Sequence, residues 1–180
     1  MRAFEFLSDA DAVCAFQGET YEFNFPDFRY TPDFGQAFRF DLRRASLDSQ
    51  HGLFVLDDRW AMAGGGTDAE AGDVMRPADA TALDTPGKSP VRGVCGFLWL
   101  VLCQNTWTGE RYGYVNNLYL APHRRGQGLG RELLGQADTF FRSRGIHRVR
   151  LTVSAHNESA VHLYQNNGYG VTRWEMEKEI

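Results

Sequence analysis

The chain has 180 residues, of which 43% are hydrophobic and 13% aromatic, enough to bury one substantial core but not two. Its 23 acidic and 19 basic residues give a formal charge of −4, and no dense basic block is present, which argues against a nucleic-acid partner. We therefore expect a single domain over residues 1–180 that acts on a small molecule or a peptide.

Cysteine usage and hydropathy predict the compartment. Cys14, Cys95 and Cys103 form no CxxC pair and leave an odd thiol, so a disulfide framework is not expected. Residues 1–9 contain no sustained apolar segment, and the longest apolar run, residues 94–103, is too short to cross a bilayer. These features predict a cytoplasmic protein with no membrane partner.

The first part of the chain predicts a strand, two helices and a second strand. Residues 2–7 alternate as a strand does, and residues 8–11 supply capping side chains for a first helix. Residues 33–49 favour a second helix, and residues 51–56 favour a buried strand. Residues 19–40 are crowded with aromatic side chains, which we interpret as core or lid packing.

Residues 63–92 predict a long surface loop, inserted before the next strand. They contain Gly64-Gly65-Gly66, three prolines and scattered acids, but no hydrophobic period. A buried strand over residues 94–103 follows, and turn residues 105–109 join it to a strand over residues 112–120. These two strands are expected to form an antiparallel hairpin.

A glycine-rich loop connects this hairpin to the next helix. Gly126, Gly128 and Gly130 alternate directly before a helical pattern, so backbone amides can approach a ligand at the start of a helix. The loop lacks the GK[ST] ending of a Walker loop and has Arg131 in place of a glycine of the dinucleotide fingerprint. It predicts a diphosphate site assisted by Arg125; the alternative is a structural turn without a ligand.

The C-terminal third continues with a strand and a helix. Residues 147–153 alternate as a strand parallel to the one before the loop, and Asn157 caps a helix that ends near Gly168. Asn157, Ala160 and Tyr164 lie on one face of that helix, because steps of three and four residues align side chains. Tyr164 is therefore expected to point its hydroxyl toward whatever the glycine loop holds.

Two motifs resemble the GNAT superfamily of N-acetyltransferases. Residues 118–130 look like its acyl-CoA-binding loop, in which the R-x-x-G-x-G core is Arg125, Gly128 and Gly130. Residues 157–169 are similar to the family's N-x-x-A-x-x-L-Y-x-x-x-G-[FY] helix. The two motifs occur in the expected order, although together they cover only about the C-terminal third of the chain.

The resemblance implies a mixed α/β fold with a central, mostly antiparallel, twisted sheet of six to seven strands and about four helices. One parallel pair of strands, ending near Leu120 and Ser154, would splay apart and admit the thioester of acetyl-CoA. The implied contacts to this donor are Leu118, Tyr119, Leu120, Arg125, Gly126, Gln127, Gly128, Leu129, Gly130, Arg131 and Asn157. The histidines lack partners at ligand spacing, so no metal site is predicted.

The resemblance also implies a reaction, in which an amine attacks the thioester directly. A backbone N–H in a bulged strand near Leu120 would polarise the carbonyl, and Tyr164 would protonate the leaving thiolate. We expect an N-acetyltransferase for a primary amine of a small molecule or peptide, active as a monomer or homodimer. The aromatic residues 19–40 would lie where the family's acceptor-site wall stands, and His156 is either a substrate contact or a solvated turn residue.

The general base is not evident from the sequence. Some family members place a glutamate on the strand before the glycine loop, but this chain has Asn116 and Asn117 there. Deprotonation would then run through ordered water or through another carboxylate; those considered are Glu22, Asp27 and Asp33. The missing carboxylate leaves a second interpretation open, a non-catalytic acyl-CoA-binding or regulatory module with the same fold.

Overall fold

The structure, a computed structural model, describes residues 1–58, 93–176 and 178. In chain order the elements are β1 (Arg2–Ala3), α1 (Phe6–Asn24), α2 (Pro32–Leu47), β2 (His51–Asp57), β3 (Val94–Gln104), β4 (Arg111–Leu120), a 3-10 helix (Pro122–Arg124), α3 (Leu129–Arg142), β5 (Val149–Arg150) and α4 (Glu158–Asn166). The loop predicted over residues 63–92 lies outside the described residues. None of the helices in the described part is long and apolar enough to cross a membrane.

One sheet of five strands runs through the described residues in the order β1-β2-β3-β4-β5. The first four strands are antiparallel neighbours, and β5 pairs with β4 in parallel. The mixed α/β class, the β3–β4 hairpin and the parallel pair are thus confirmed. The expected six to seven strands were wrong for this part of the chain, because its backbone pairing closes a sheet of only five.

The helix α1 begins earlier than its predicted capping residues. Glu5 is the extended N-cap, and the Asp9 carboxylate accepts a hydrogen bond from the Glu5 N–H at 2.8 Å. The same carboxylate, only 1% exposed, forms an ion pair with Arg2 of β1 at 2.7 Å. The predicted strand over residues 2–7 is therefore reduced to Arg2–Ala3, because the residues after it serve the start of the helix.

The sheet separates two apolar layers. The helices α1 and α2 cover one face, where the rings of Phe97 and Tyr119 stack against Phe16 of α1. The helix α3 covers the other face, where a Cβ built on Gly113 would meet the Phe141 ring at 2.5 Å. This close approach explains the glycine within β4, since a larger side chain would displace α3.

The strands β4 and β5 stay paired over a very short length. Their register joins Gly113 to Val149 and Tyr114 to Arg150, and β4 then continues to Leu120 without β5 beside it. We call the gap between residues 115–120 and 151–156 the seam. The predicted strand over residues 147–153 has the right direction, but it is shortened because its backbone leaves β4 at the seam.

A β-bulge lies in β4 beside the seam. Trp99 of β3 pairs with Asn117, whereas the next residue, Leu100, pairs with Val115, so Asn116 is an extra residue on β4. The strand is bulged, as the resemblance implied, and the extra residue precedes Leu120 because the pairing with β3 stays regular from Asn117 to the end of the strand. The bulge therefore lies at the narrow end of the seam, next to the last β4–β5 pair.

Candidate active site

The loop between β4 and α3 presents free backbone amides. Gly126 and Gly128 adopt left-handed φ angles of 72° and 81°, which residues with a Cβ rarely adopt. The N–H groups from Gly126 to Gly130 find no acceptor among the described residues, whereas the Arg131 N–H bonds to the Gly128 carbonyl at 3.0 Å. The loop is exposed from Arg125 to Gly128. Its amides are therefore available to an anion at the positive end of α3.

Gly130 has a second, structural reason to be glycine. A Cβ at this position would come within 2.9 Å of the Leu163 side chain on α4. The absence of a side chain thus lets α3 and α4 approach each other closely. This contact places the N-terminal turn of α3, where Leu129 is also buried, directly beside α4.

The two arginines of the loop have different partners. Arg124, only 12% exposed, bonds to Asp58 after β2 at 3.0 Å, and this hydrogen bond lowers the pKa of Asp58. Arg125 is exposed; its Nε donates to the Leu120 carbonyl at 2.9 Å, and its guanidinium lies 5.7 Å from the centre of the Tyr119 ring. Arg124 therefore fastens the loop to β2, and Arg125 is the loop cation that faces solvent.

The side chain of Tyr119 joins the helix α1 to the site, a role that the sequence did not reveal. Its ring stacks on Phe16 with centroids 4.4 Å apart, and its hydroxyl donates a hydrogen bond to Glu19 of α1. Burial, together with the Glu19 carboxylate, raises the pKa of Tyr119 well above its ordinary value. Tyr119 is thus a neutral donor that ties α1 to the base of the loop. Its partner is 100 residues away in the chain, so no local pattern could have indicated it.

The backbone of Leu118 and Leu120 faces the seam. The Ala121 N–H donates to the Cys95 carbonyl of β3 at 2.8 Å. Residues of an antiparallel strand alternate in the side to which their backbone groups point, so those of Leu118 and Leu120 point away from β3. A pantetheine arm lying along β4 would meet these groups, apart from the Leu120 carbonyl, which already accepts from Arg125.

The helix α4 brings Asn157 and Tyr164 to the other side of the seam. The Asn157 side-chain oxygen accepts from the Ala160 N–H at 3.2 Å, so Asn157 caps α4 as predicted. Burial, and secondarily the neighbouring Tyr114, raises the pKa of Tyr164. Its ring lies against Tyr169, with centroids 5.7 Å apart, and its hydroxyl has no hydrogen-bond partner within the described residues. This hydroxyl stays protonated and is free to donate.

A chain of three amides occupies the place where some family members carry a glutamate. Asn117 Nδ2 donates to Oε1 of the buried Gln17 at 2.7 Å, and Asn116 Nδ2 donates to Asn117 Oδ1 at 2.8 Å. The Oδ1 atom of Asn116 is left as an acceptor at the bulge. None of these groups can take up a proton at neutral pH, although they can orient a hydrogen-bond donor.

The carboxylates considered as bases lie at the junction of α1 and α2. Glu22 Oε1 accepts from the Tyr30 N–H at 3.2 Å, and Asp27 and Asp33 are exposed.

The aromatic rings of this region pack on one another, with centroids between 4.8 and 5.3 Å apart, as the packing interpretation predicts; they belong to Tyr21, Phe25, Phe28 and Phe34. His156 Nε2 lies 3.2 Å from the Phe23 carbonyl, so it links the seam to the end of α1.

The described residues contain no group of three or more His, Cys, Asp or Glu side chains placed to hold a metal ion. The three cysteines are free thiols. Burial raises the pKa of Cys95 to about 11, so this thiol is protonated and unreactive at neutral pH.

Residues 75–169 match the sequence profile of the Acetyltransferase (GNAT) family. An uncharacterized N-acetyltransferase of Bacillus subtilis, YdgE, is 40% identical over 85 residues, which are 47% of this chain and 53% of that protein. A thialysine N-epsilon-acetyltransferase of Mus musculus is 33% identical over 86 residues, 48% of this chain and 50% of that protein. The matched stretch thus spans about half the length of these relatives.

The fold is shared with solved structures over nearly the whole chain. A predicted acetyltransferase from Clostridium acetobutylicum, crystallised with acetyl-CoA, superposes with a TM-score of 0.65 over 99% of this chain and 94% of that one. The sequence identity is 13%, so the likeness concerns the fold alone. The match to the family profile begins at residue 75 and therefore includes the glycine loop and α4, but not α1, α2 or β2.

Proposed function

Since the chain belongs to the GNAT family of acetyltransferases, we propose that it transfers an acetyl group from acetyl-CoA to a primary amine of a small molecule or peptide. The observation that carries the proposal is the row of N–H groups from Gly126 to Gly130 at the wide end of the seam, which have no acceptor in the described part of the chain. Such a row suits a diphosphate, because the amide dipoles and the positive end of α3 act on the same anion. The relatives named as N-acetyltransferases support the same activity.

The donor would lie with its diphosphate on the loop and its pantetheine arm along β4. Leu118 and the N–H of Leu120 would bond to the arm, and the Asn157 amide nitrogen, free because only its oxygen caps α4, would reach it from the other side. The exposed side chains of Arg125 and Arg131 would add positive charge near the phosphates. This arrangement would bring the thioester toward the bulge.

In the proposed reaction the lone pair of a neutral amine attacks the thioester carbon, and the carbonyl electron pair moves onto oxygen. A backbone N–H at the Asn116 bulge, which the β3 ladder leaves unpaired, would stabilise that oxygen. When the carbonyl re-forms, the carbon–sulfur bond breaks with its electron pair on sulfur. Tyr164 would protonate this thiolate and regain its proton from water, and the nitrogen would release its surplus proton to water.

Deprotonation of the acceptor sets the expected pH dependence. An alkyl ammonium has a pKa of about 10, and the amide chain at Asn116, Asn117 and Gln17 cannot act as a base. We expect kcat/KM to rise with pH until the pKa of the acceptor is reached, because only the neutral amine attacks. A plateau that begins near neutral pH would instead reveal a protein base and contradict the water route.

The experiment that tests the proposal is release of the CoA thiol from acetyl-CoA across a panel of primary amines. Thiol release that depends on the amine, together with the mass of the acetylated product, would support acetyl transfer. The second candidate, a non-catalytic acyl-CoA-binding or regulatory module, is favoured by the amide chain that replaces the carboxylate. Tight binding of acetyl-CoA without thiol release on any amine would favour that module.

A further inference from the structure

The α2 face of the sheet carries a cleft that the donor does not use. It has a volume of about 490 Å³ and lies between the end of α2, the start of β2 and the middle of β3 and β4. Two of its lining residues have a special place in β4: Tyr114 is the last residue paired with β5, and Asn116 is the bulge. The cleft therefore reaches β4 at the narrow end of the seam, from the face opposite α3.

One wall of the cleft is flat and apolar. It is formed by Trp99, whose indole N–H donates to Nδ1 of His51 at 2.9 Å. An indole N–H can only donate, so Nδ1 of His51 has no proton and the imidazole is neutral in this arrangement. Its Nε2 then carries the proton and lies 3.8 Å from the Asp48 carboxylate. A wall of this kind suits an alkyl chain.

The charged side chains of the cleft have opposite signs. Asp41, Arg44 and Asp48 line it, and within the described residues Arg44 forms no ion pair with either aspartate. The end of α2 adds partial negative charge beside Asp48. With His51 neutral, two carboxylates and one guanidinium give the cleft a net charge of −1. It thus offers one place for an anion and a stronger place for a cation.

We propose that this cleft is the acceptor site and that it takes an amino acid with a second amine on its side chain. The inference rests on the proposed function, because it needs an acetyl donor in the seam. Arg44 would bind the α-carboxylate, and Asp41 and Asp48 would bind the α-ammonium. The alkyl chain would lie on Trp99. With both amines protonated, such a compound has a net charge of +1, which balances the charge of the cleft.

The side-chain amine of the acceptor would then meet Asn116. Asn116 lines the cleft, and its Nδ2 donates to Asn117 at 2.8 Å, which leaves its Oδ1 as the acceptor for an incoming amine. An amine that donates one hydrogen to Oδ1 keeps its lone pair free for the thioester carbon. The bulge is therefore both the meeting point of cleft and seam and the group that orients the attacking nitrogen.

Three acceptors of equal chain length test this assignment: L-lysine, 1,5-diaminopentane, which lacks the α-carboxylate, and 6-aminohexanoate, which lacks the α-ammonium. We expect Arg44→Gln to lower kcat/KM about tenfold for L-lysine and not for 1,5-diaminopentane, the loss of roughly one charge-assisted hydrogen bond. Asp41→Asn should lower it for L-lysine and 1,5-diaminopentane, but not for 6-aminohexanoate.

Arg43→Gln is the matched control for Arg44→Gln. Arg43 is the preceding residue of α2, but its guanidinium lies over Phe6, 5.1 Å from the ring centre, and it does not line the cleft. Arg43→Gln should leave kcat/KM unchanged for all three acceptors. The assignment is overturned if Arg44→Gln changes kcat/KM equally for the three acceptors or changes it for none of them.

Calorimetry of L-lysine binding to the protein saturated with CoA separates this inference from the proposed function. Binding that depends on Arg44, without acetyl transfer to any amine, would remove the proposed activity and keep the cleft as an amino-acid site. Acetyl transfer to other amines, with L-lysine neither bound nor acetylated, would support the proposed activity and overturn the assignment of the cleft as an amino-acid site. Binding and transfer that both depend on Arg44 would support the two together.

Discussion

The two faces of the sheet contribute to the proposed site in different ways. On the α3 side the site is backbone, namely the amides from Gly126 to Gly130, and its shape follows from a short run of glycines and one helix start. On the α2 side the site is made of side chains that the fold brings together, such as His51 and Trp99, which are 48 residues apart in sequence. The family profile includes the first and begins after α2 and β2. Family membership therefore supports the donor, whereas the proposed acceptor site takes part of its lining, including Arg44 and His51, from residues that precede the matched stretch.

The largest effect is expected at Tyr164, which would serve the donor from α4. Tyr164→Phe should lower kcat by about 100-fold with little change in the Kd of acetyl-CoA, since the hydroxyl acts only on the leaving thiolate. An assay of thiol release measures kcat, and calorimetry measures the Kd. The control is Tyr169→Phe, because the Tyr169 hydroxyl is buried with no hydrogen-bond partner among the described residues, and its removal should leave turnover intact. Equal turnover in wild type and Tyr164→Phe would exclude Tyr164 as the acid.

The next effect concerns stability on the face covered by α1. Burial raises the pKa of the Asp9 carboxyl, but the hydrogen bonds from Arg2 and the Glu5 N–H outweigh this and hold it below its ordinary value. Asp9 therefore stabilises the fold above about pH 4, and this stabilisation is lost as pH falls through its folded pKa.

Asp9→Asn should reduce the free energy of unfolding by about 2 kcal/mol at pH 7, less than for a fully buried pair because Arg2 remains partly exposed. Denaturant titrations at pH 7 and pH 3 measure this, and the difference between the two proteins should shrink at the lower pH. The same difference at both pH values would mean that the charge of Asp9 is not what stabilises the fold.

A smaller effect is expected in the glycine loop. Gly128→Ala forces a Cβ into the left-handed region at φ 81°, at a cost of about 1–2 kcal/mol, and should turn the neighbouring amides. We expect the Kd of acetyl-CoA to rise about tenfold, measured by calorimetry. Gly135→Ala is the control, since Gly135 lies in α3 with open space around it and should gain about 0.5–1 kcal/mol of stability with unchanged binding. Equal binding by both variants would argue against an amide cradle.

The smallest effect concerns the loop cation. Arg125→Gln should weaken acetyl-CoA binding by about threefold at low salt, and the difference should fade as salt screens this exposed charge. Arg124→Gln should instead lower the melting temperature, because it breaks the bond to Asp58. If Arg124→Gln shows the salt-dependent binding defect and Arg125→Gln does not, the two roles are exchanged.

The elements predicted from local patterns agree with the structure. The helix α2, the hairpin, the glycine loop with α3, and the Asn157 cap of α4 each depend on residues within a few positions of one another. The early start of α1 at Phe6 and the five strands were not predicted correctly, and no position was predicted for the bulge at Asn116. Each of these depends on pairing or ion-pair partners that are distant in the chain.

The sequence by itself determined the glycine loop and the order of elements around it, because glycine torsions, helix starts and caps are local properties of the backbone. Tertiary structure decided which arginine of the loop faces solvent, how far β5 follows β4, and which side chains line the cleft proposed for the acceptor. Those features join groups such as Glu19 and Tyr119, 100 residues apart, so their energies depend on how the α1 and α2 layer packs on the sheet.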